Sequence, residues 1–525
     1  MLGLLLGGWL AKKAFEGRHK DDNNNKDSDS DSDMEEETSE EKGEEETSSS
    51  EIVNSGNKVH RLCKKCAEVK SLLDDEIEDD FLGTANEILQ HRGCDLCQLI
   101  RGILVDRTKN PRITTALGDG TRDKVRTLIG TLRVIFDDFG EDSVLVSLAK
   151  KPKDPKTSDR EPQPVCIAEV SFSKELQSAH IYPLSLTTAL TVRRQNAAQI
   201  HGGANIDVKQ IKGWIDECEK THGPQCTESH MSNIRTHGEL NPHFIHVWEM
   251  RIVDGSFNWK YLTLSYVWGG IEMLKATKAL MPSLKQFHSL SARLDQIPQV
   301  IKDAIALTKA LGMKYLWVDS LCIAQDDALE KHRMLQAMDI VHMKSFLTIV
   351  ALSGEDSTYP LYGLDPGTRT PFKHIGWANG TYLVASPPPL YCAMNESIYE
   401  TRGWTFQERL LSRRCLYITR YQVYFNCVNW YWDENQTSEK FNRPARVMKN
   451  NLLSRLRFYD IPAGLAPSPD VIYEIYKELV EGYTSRALSY PSDVLNAFYG
   501  IGAVLEQLCG DGKVRSSSFG LLSSM

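Results

Sequence analysis

The sequence predicts an α/β fold: a parallel sheet flanked by helices, set between a mixed α+β N-terminal region and a mostly helical C-terminal one. Three observations predict it. Strand and helix periods alternate between residues 261 and 354, as they do in a sheet built from crossovers. The segment "SFLTIVALSG" (345–354) is apolar on both faces, as a strand covered on both sides must be. Helix boundaries are marked, with Pro298 in a first turn and Gly312 past a last one.

The elements follow in order. "YLTLSYVW" (261–268) is a strand of aromatic and aliphatic residues. "IPQVIKDAIALTKALG" (297–312) places Ile297, Val300, Ile301, Ala304, Ile305, Thr308 and Leu311 on one helix face. "KYLWVDSLCI" (314–323) is the second strand, "DALEKHRMLQAMDIVHMK" (327–344) the second helix, and "SFLTIVALSG" (345–354) the third strand. "ETRGWTFQERLLSRRCLYIT" (400–419) combines a short amphipathic helix with a strand, and "QVYFNC" (422–427) adds another. Upstream, "TLRVIFDD" and "DSVLVSLA" are strand-like, and "NIDVKQIKGWIDECEKTHG" is an amphipathic helix. "HFIHVWEMRIVDG" alternates like one or two short strands. The chain divides into a short apolar N-terminus with an acidic segment (1–52), a mixed region (53–255), the α/β domain (256–427) and a helical C-terminal region (428–525).

Charge is unevenly spread over the 525 residues. The formal net charge is −9, but residues 21–47 hold fourteen Asp/Glu against two Lys. The rest is therefore close to neutral and offers no basic footprint for nucleic acid. Residues 20–52 form a low-complexity acidic segment with no aromatic residue. Such a segment buries too little surface to offset its chain entropy and is expected to be disordered. "MLGLLLGGWLA" at the start is apolar but too short for a bilayer span, and Lys12 and Lys13 follow it rather than precede it. Weak contact with a membrane surface is open to it. With no spanning segment, the protein is expected in the cytoplasm.

Each core strand empties into polar or Gly-rich chemistry. In an open parallel sheet, ligands bind beyond the carboxyl ends of the strands. The first strand delivers Trp268, Gly269 and Gly270 to that edge, the second Asp319, Ser320, Cys322 and Gln325, the third Ser353 and Gly354. Glycines let a ligand approach the backbone, and Asp and Gln grip hydroxyl or amide groups. Trp268 and Trp317 offer faces on which a flat ring could stack. Arg402 at this rim would suit a pyrophosphate, gripped bidentately, or a salt bridge to Asp319. The same residues also read as turn residues and helix caps, with Asp326 or Asp327 capping the second helix.

Twelve cysteines without a secretory signal argue against a disulfide scaffold. Cys63, Cys66, Cys94 and Cys97 form two CxxC pairs, with His60 and His91 beside them. Four thiolates so paired suit a structural zinc, and reduced buried thiols are the competing reading. Cys218, His222 and Cys226 share one helix face, but Gly223-Pro224 should end that helix. They are read as a local packing motif.

Four segments, "YLTLSYVWGG", "YLWVDSLCIAQDD", "VALSGEDSTYPLYGL" and "RGWTFQERLLSRRCLYIT", resemble the motifs of fungal heterokaryon-incompatibility (HET) domain proteins and come in that family's order. The upstream "GCDLC" and "WIDECEKTHGPQC" and the downstream "SDVLNAFYGI" are similar to features of long family members. Ala324 and the Val341-His342 pair depart from the family's usual residues. The Ser-rich end at 515–525 falls short of where long members stop, so a truncated C-terminus is expected. The resemblance implies fungal non-self recognition, in which incompatible cell fusion triggers growth arrest or programmed cell death. It implies a sheet like that of flavodoxin and of TIR domains, to which HET domains are thought to be distantly related. Some TIR domains cleave NAD⁺ with a single Glu, so NAD⁺ becomes an expected substrate. Glu330 sits one turn into the helix after the second strand, where a TIR-type catalytic Glu is expected. Asp319 and Glu408 are the other candidate carboxylates. The alternative the resemblance leaves is a non-enzymatic signalling module that acts by self-association or by docking a protein partner.

Overall fold

An eight-stranded sheet organises residues 243–433. Its strands are β1 (His243–His246), β2 (Arg251–Asp254), β3 (Tyr261–Ser265), β4 (Tyr315–Trp317), β5 (Leu347–Ala351), β6 (Arg414–Ile418), β7 (Val423–Cys427) and β8 (Tyr431–Asp433). The computed structural model describes residues 51–55, 58–68, 79–84, 91, 93–108, 143–148, 168–171, 179–184, 204–223, 226, 241–369, 375–378, 381–385, 387, 390–395, 397–434 and 469–508. The expected acidic segment up to residue 50, the apolar N-terminus and the strand-like run at 131–138 lie outside them. Glu51 and Ile52, grouped with the acidic segment from sequence, open a strand that pairs with Lys58–Leu62.

The spatial order is β8-β7-β6-β5-β3-β4-β1-β2. The four central strands β6, β5, β3 and β4 run parallel, with Tyr315 opposite Tyr261, Leu347 opposite Leu262 and Thr348 opposite Cys415. The pairings outside them are antiparallel. The sheet is therefore mixed, which corrects the expectation of a parallel sheet at its edges. For the hairpin pairings β1–β2, β6–β7 and β7–β8 the cause is loop length. Residues 247–250, 419–422 and 428–430 can only turn the chain back, whereas a parallel connection needs about a dozen residues or more. β1, β2 and β8 also carry the sheet beyond the 256–427 segment.

Strands of the parallel centre are apolar on both faces because two cores cover them. Ile349, Ala351, Leu416 and Ile418 enter one cluster, and the alternate residues Val350, Cys415 and Tyr417 enter another. This is the period of two that a strand imposes.

The helices follow in chain order. α1 (Val208–Thr221) starts at Asp207, whose carboxylate accepts from the N–H of Lys209 at 2.8 Å. It buries Ile211, Trp214, Ile215 and Cys218, and Trp214 meets Phe425 of β7. α2 (Gln299–Ala310) begins just after Pro298, which stands before the first turn with ψ 154° rather than inside it, and Gly312 follows the helix end with φ +83° as expected. β4 stops at Trp317, and residues 319–322, read from sequence as more strand, form the one-turn helix α3 (Asp319–Cys322). Asp319 Oδ1 takes the N–H of Ser320 at 2.7 Å, and Cys322 N reaches Val318 O at 2.7 Å, so the backbone curls. The single helix expected at 327–344 breaks at Ala337 into α4 (Ala328–Gln336) and α5 (Met338–Lys344). There the Ala337 N–H bonds the carbonyl of Met334, a tightened last turn.

α6 (Gly403–Leu411) precedes β6, and α7 (Pro469–Thr484) and α8 (Asn496–Leu508) pack on it. Phe406, Leu410 and Leu411 share one core cluster with Ile475, Leu479, Ile501 and Leu505. The fit is close at Gly500, where a Cβ would lie 2.4 Å from that of Asp339. The Gly500 N–H donates to Gln407 Oε1 at 2.9 Å.

A second, six-stranded antiparallel sheet runs Ile375–Ala378, Thr381–Ala385, Ala179–Leu184, Ala168–Ser171, Ser143–Leu148, Asp79–Thr84 in space. A hairpin from between β5 and β6 thus completes a sheet begun by the N-terminal region. No described helix is long and apolar enough to cross a membrane.

Candidate functional site

The rim beyond the parallel strands gathers most of the residues picked from sequence. β3 runs on into Tyr266, Val267 and Trp268. The Trp268 indole Nε1–H donates to Asp319 Oδ2 at 2.7 Å, which joins the ends of β3 and β4. The other oxygen of Asp319 holds the Ser320 amide, and Tyr266 donates its hydroxyl to Ser320 Oγ at 3.1 Å. Gln325 Nε2 donates to Asp319 O at 2.9 Å and Ile323 O at 3.1 Å, so it pins the loop after α3. Gly269 stands at φ +68°, and a Cβ there would come within 2.3 Å of that of Asp356. Only glycine fits that turn. Open space lies beside Gly270.

Glu408, on the buried face of α6, forms the inner wall. The Ser265 hydroxyl at the end of β3 donates to Glu408 Oε2, and Ser265 Oγ lies 2.6 Å from the Tyr399 hydroxyl. Arg402 is the residue before α6, half-buried, and its guanidinium acts electrostatically on both Asp319 and Glu408. Ser397–Arg402 wraps Tyr399 under the rim, and Thr405 Oγ1 bonds Tyr399 O and Arg402 O.

Two carboxylates here are held away from their ordinary acidity. Burial pushes Asp319 up to about 6, against the hydrogen bonds of Trp268 and Ser320 and the charge of Arg402. Its residue is only partly covered, but its carboxyl lies under the Trp268 and Tyr266 side chains and is desolvated. Burial also pushes Glu408 up to about 7, with Asp319's charge adding to the rise while Ser265 and Arg402 oppose it. A carboxylate pair of this kind, one mostly ionised and one near half-protonated at neutral pH, can share acid and base work.

Glu330 is placed elsewhere on α4. Its Oε1 lies 3.7 Å from His243 Nε2 on β1, toward the antiparallel edge. Its backbone N–H is capped by Asp327 at 3.1 Å. Ser353 binds the Arg420 amide at 3.1 Å, and Cys322 is buried with its thiol pushed up to about 12 by burial. Trp317 is buried in the core rather than presented at the rim.

Sequence reading missed Ser265, Tyr266 and Tyr399. Ser265 and Tyr266 sit inside an apolar run and look like strand filler. A hydroxyl at the last position of a buried strand is the one signal that could have marked Ser265, since it must find a partner there. Tyr399 carries no local signal.

The two CxxC pairs meet. Each opens a helix, Lys64–Glu68 or Asp95–Thr108, with Cys63 O and Cys94 O accepting from Ala67 and Gln98 at 2.9 Å. Cys66–Cys97 and Cys63–Cys97 sulfur distances are 3.5 and 3.9 Å, and all four sulfurs lie within 4.8 Å of one another. A tetrahedral Zn²⁺ with bonds near 2.3 Å holds its sulfurs about 3.8 Å apart, so the residues fit that ion.

Residues 261–408 match the family model of the heterokaryon incompatibility protein (HET). No curated protein and no solved structure matches the chain.

Proposed function

From a chain that carries a HET domain at residues 261–408, and with it a general role in heterokaryon incompatibility, we propose that the domain is a cell-death effector. In this reading it acts by cleaving the nicotinamide–ribose bond of NAD⁺. The observation that carries it is the pair of raised carboxyls, Asp319 and Glu408, beside Arg402 at the carboxyl ends of the parallel strands. The order β4-β3-β5-β6 supports the flavodoxin- and TIR-like reading of the sheet's centre. Numbered along the chain those strands run 2-1-3-4, and ligands in that order bind where β3 and β5 diverge.

Each group has a role in this scheme. Arg402 grips the pyrophosphate with its fork. Trp268 stacks on a ring of the dinucleotide. Asp319, mostly ionised above pH 6, faces the positive charge that develops on the ribose as the C–N bond breaks. Glu408 takes the proton of the water that adds to C1′. Nicotinamide leaves and ADP-ribose remains. Glu330, paired with His243, stands outside this scheme. The two CxxC pairs hold a structural zinc that fixes the N-terminal helices. A protein partner, or self-association of the chain, brings domains together and switches them on.

One observation favours the non-enzymatic module. Asp319, Glu408 and Ser265 are all engaged in hydrogen bonds, as a purely structural network would be. The test is NAD⁺ consumption by the purified chain under artificial clustering. Asp319→Asn and Arg402→Lys are expected to cost roughly 100- to 1000-fold in rate while the fold is retained. Glu330→Ala is expected to retain the rate. A folded, clustered chain that leaves NAD⁺ intact sinks the enzymatic reading.

A further inference from the structure

We propose that Cys218, His222, Cys226 and Cys427 hold a second zinc ion, which joins α1 to β7 of the main sheet. Sequence shows only three of these residues together, and the helix break expected at Gly223-Pro224 argues for packing. The structure adds a fourth from two hundred positions away. The four ligand atoms lie within 4.8 Å of one another, and His222 Nδ1 is 3.3 Å from Cys427 Sγ. Zinc bonds of 2.0–2.3 Å at tetrahedral angles put such a pair roughly 3.5 Å apart.

The helix break makes the site instead of preventing it. α1 ends at Thr221, His222 caps it, and Gly223 turns with φ +59°. The Cys226 N–H then bonds Gly223 O at 3.2 Å, which returns Cys226 to the helix end beside Cys218. Three cysteines and one histidine form a closed donor set of the structural type, with no position left for substrate.

Arg414 is a second, independent observation. It is 1% exposed, its Nε donates to Cys218 Sγ at 3.3 Å, and its Nη1 donates to Phe346 O at 3.3 Å. Among the described residues no carboxylate pairs with it. A buried guanidinium needs a counter-charge. Three thiolates on one Zn²⁺ leave a net charge of −1 against it, whereas three neutral thiols would leave it unmatched. The surroundings fit a ligated site. The Trp430 amide donates to Cys427 Sγ at 3.2 Å, and Asn429 Nδ2 holds His222 O at 3.2 Å. The Trp432 ring packs 5.6 Å from the imidazole. Loading this site releases the protons of its thiols to solvent.

The experiment counts zinc per full-length chain purified under reducing, chelator-free conditions. Wild type is expected to hold two equivalents and Cys63→Ser/Cys66→Ser one. In that double variant Co²⁺ is expected to give thiolate charge-transfer and tetrahedral absorption. Adding Cys427→Ser removes the metal. Adding His222→Cys instead keeps one equivalent and shifts the cobalt bands, which a packing role would not do. A folded double variant that holds no zinc and shows no cobalt absorption overturns the proposal, as does zinc unaffected by Cys427→Ser. A single wild-type equivalent that survives the double variant and is lost with Cys427→Ser supports this site and removes the N-terminal one.

Discussion

Glu408→Gln is expected to stabilise the protein at pH 8 by roughly 3 kcal/mol and to leave its stability at pH 4 nearly unchanged. The sign follows from the direction of the shift. Burial raises the folded Glu408 to about 7 from its ordinary 4.5. The folded state then holds a proton the unfolded chain has released, so stability is full below 4.5 and is lost as pH rises through 7. Glutamine keeps an acceptor for the Ser265 hydroxyl and carries no charge to desolvate. Urea unfolding of both forms at the two pH values measures the difference. In the proposed enzymatic reading the same variant loses NAD⁺ cleavage, so stability and activity move in opposite directions. A variant destabilised at both pH values would show that Glu408 is an ionised structural acceptor.

The largest loss of stability is expected from Glu400→Ala, about 3–5 kcal/mol by urea unfolding. Glu400 lies between two arginines. Arg409 Nε is 2.7 Å from its Oε1 and Arg409 Nη2 donates to Oε2 at 3.0 Å, while Arg486 Nη2 meets the same Oε2. All three side chains are nearly covered, at 6 to 12% exposure. Removing the carboxylate leaves two buried like charges facing each other. Burial would raise Glu400's pKa, but the charges of Arg409 and Arg486 outweigh it and hold it below the ordinary 4.5. Its stabilisation is therefore present above pH 4.5 and is lost as pH falls through the lowered folded value. Wild type should weaken in acid along this slope and the variant should not. Arg486→Lys, which keeps the charge and loses the fork, should cost less.

This clamp bears on the site. Thr401 O accepts from Ala487 N at 2.6 Å and Gly403 N donates to Ala487 O at 2.9 Å, on either side of Arg402. Arg486 Nη1 also bonds Arg402 O at 3.3 Å. The C-terminal region thus positions the arginine that acts on both carboxylates.

What the sequence shows and hides divides by the range of the forces involved. β3, β5 and α2 were legible because their periods, their apolar content and the Pro298 and Gly312 boundaries all act locally. The edge strands β1, β2 and β7 were legible as strands, while β8 was hidden in what read as the start of a helical region; the antiparallel sense of their hairpins lies in loop length, which alternation of strand and helix does not report. Asp319 was legible as a polar residue of the rim yet misplaced in a longer strand, because its own side chain bends the backbone at Ser320. The break at Ala337 has neither Gly nor Pro to announce it. Asp319, Trp268, Gln325 and Arg402 could be guessed to meet, since they end elements of one sheet. Tyr399 and Cys427 could not, since each acts only through partners brought by tertiary folding. Glu330 illustrates the reverse: a place in a pattern does not say that β1 will present His243 to it.

The hairpin at Ile375–Ala378 and Thr381–Ala385 has a practical meaning for anyone who cuts this protein. Thr381–Ala385 pairs with Ala179–Leu184, so a fragment beginning at residue 256 would leave that strand with a row of unpaired amides and carbonyls. The same cut would strip β1 from β4 and bare a second strand in the main sheet. Exposed edges of this kind recruit other chains. Clumping of such a fragment would then report severed β-pairing rather than the self-association proposed for the whole chain, and clustering is best imposed on the uncut protein.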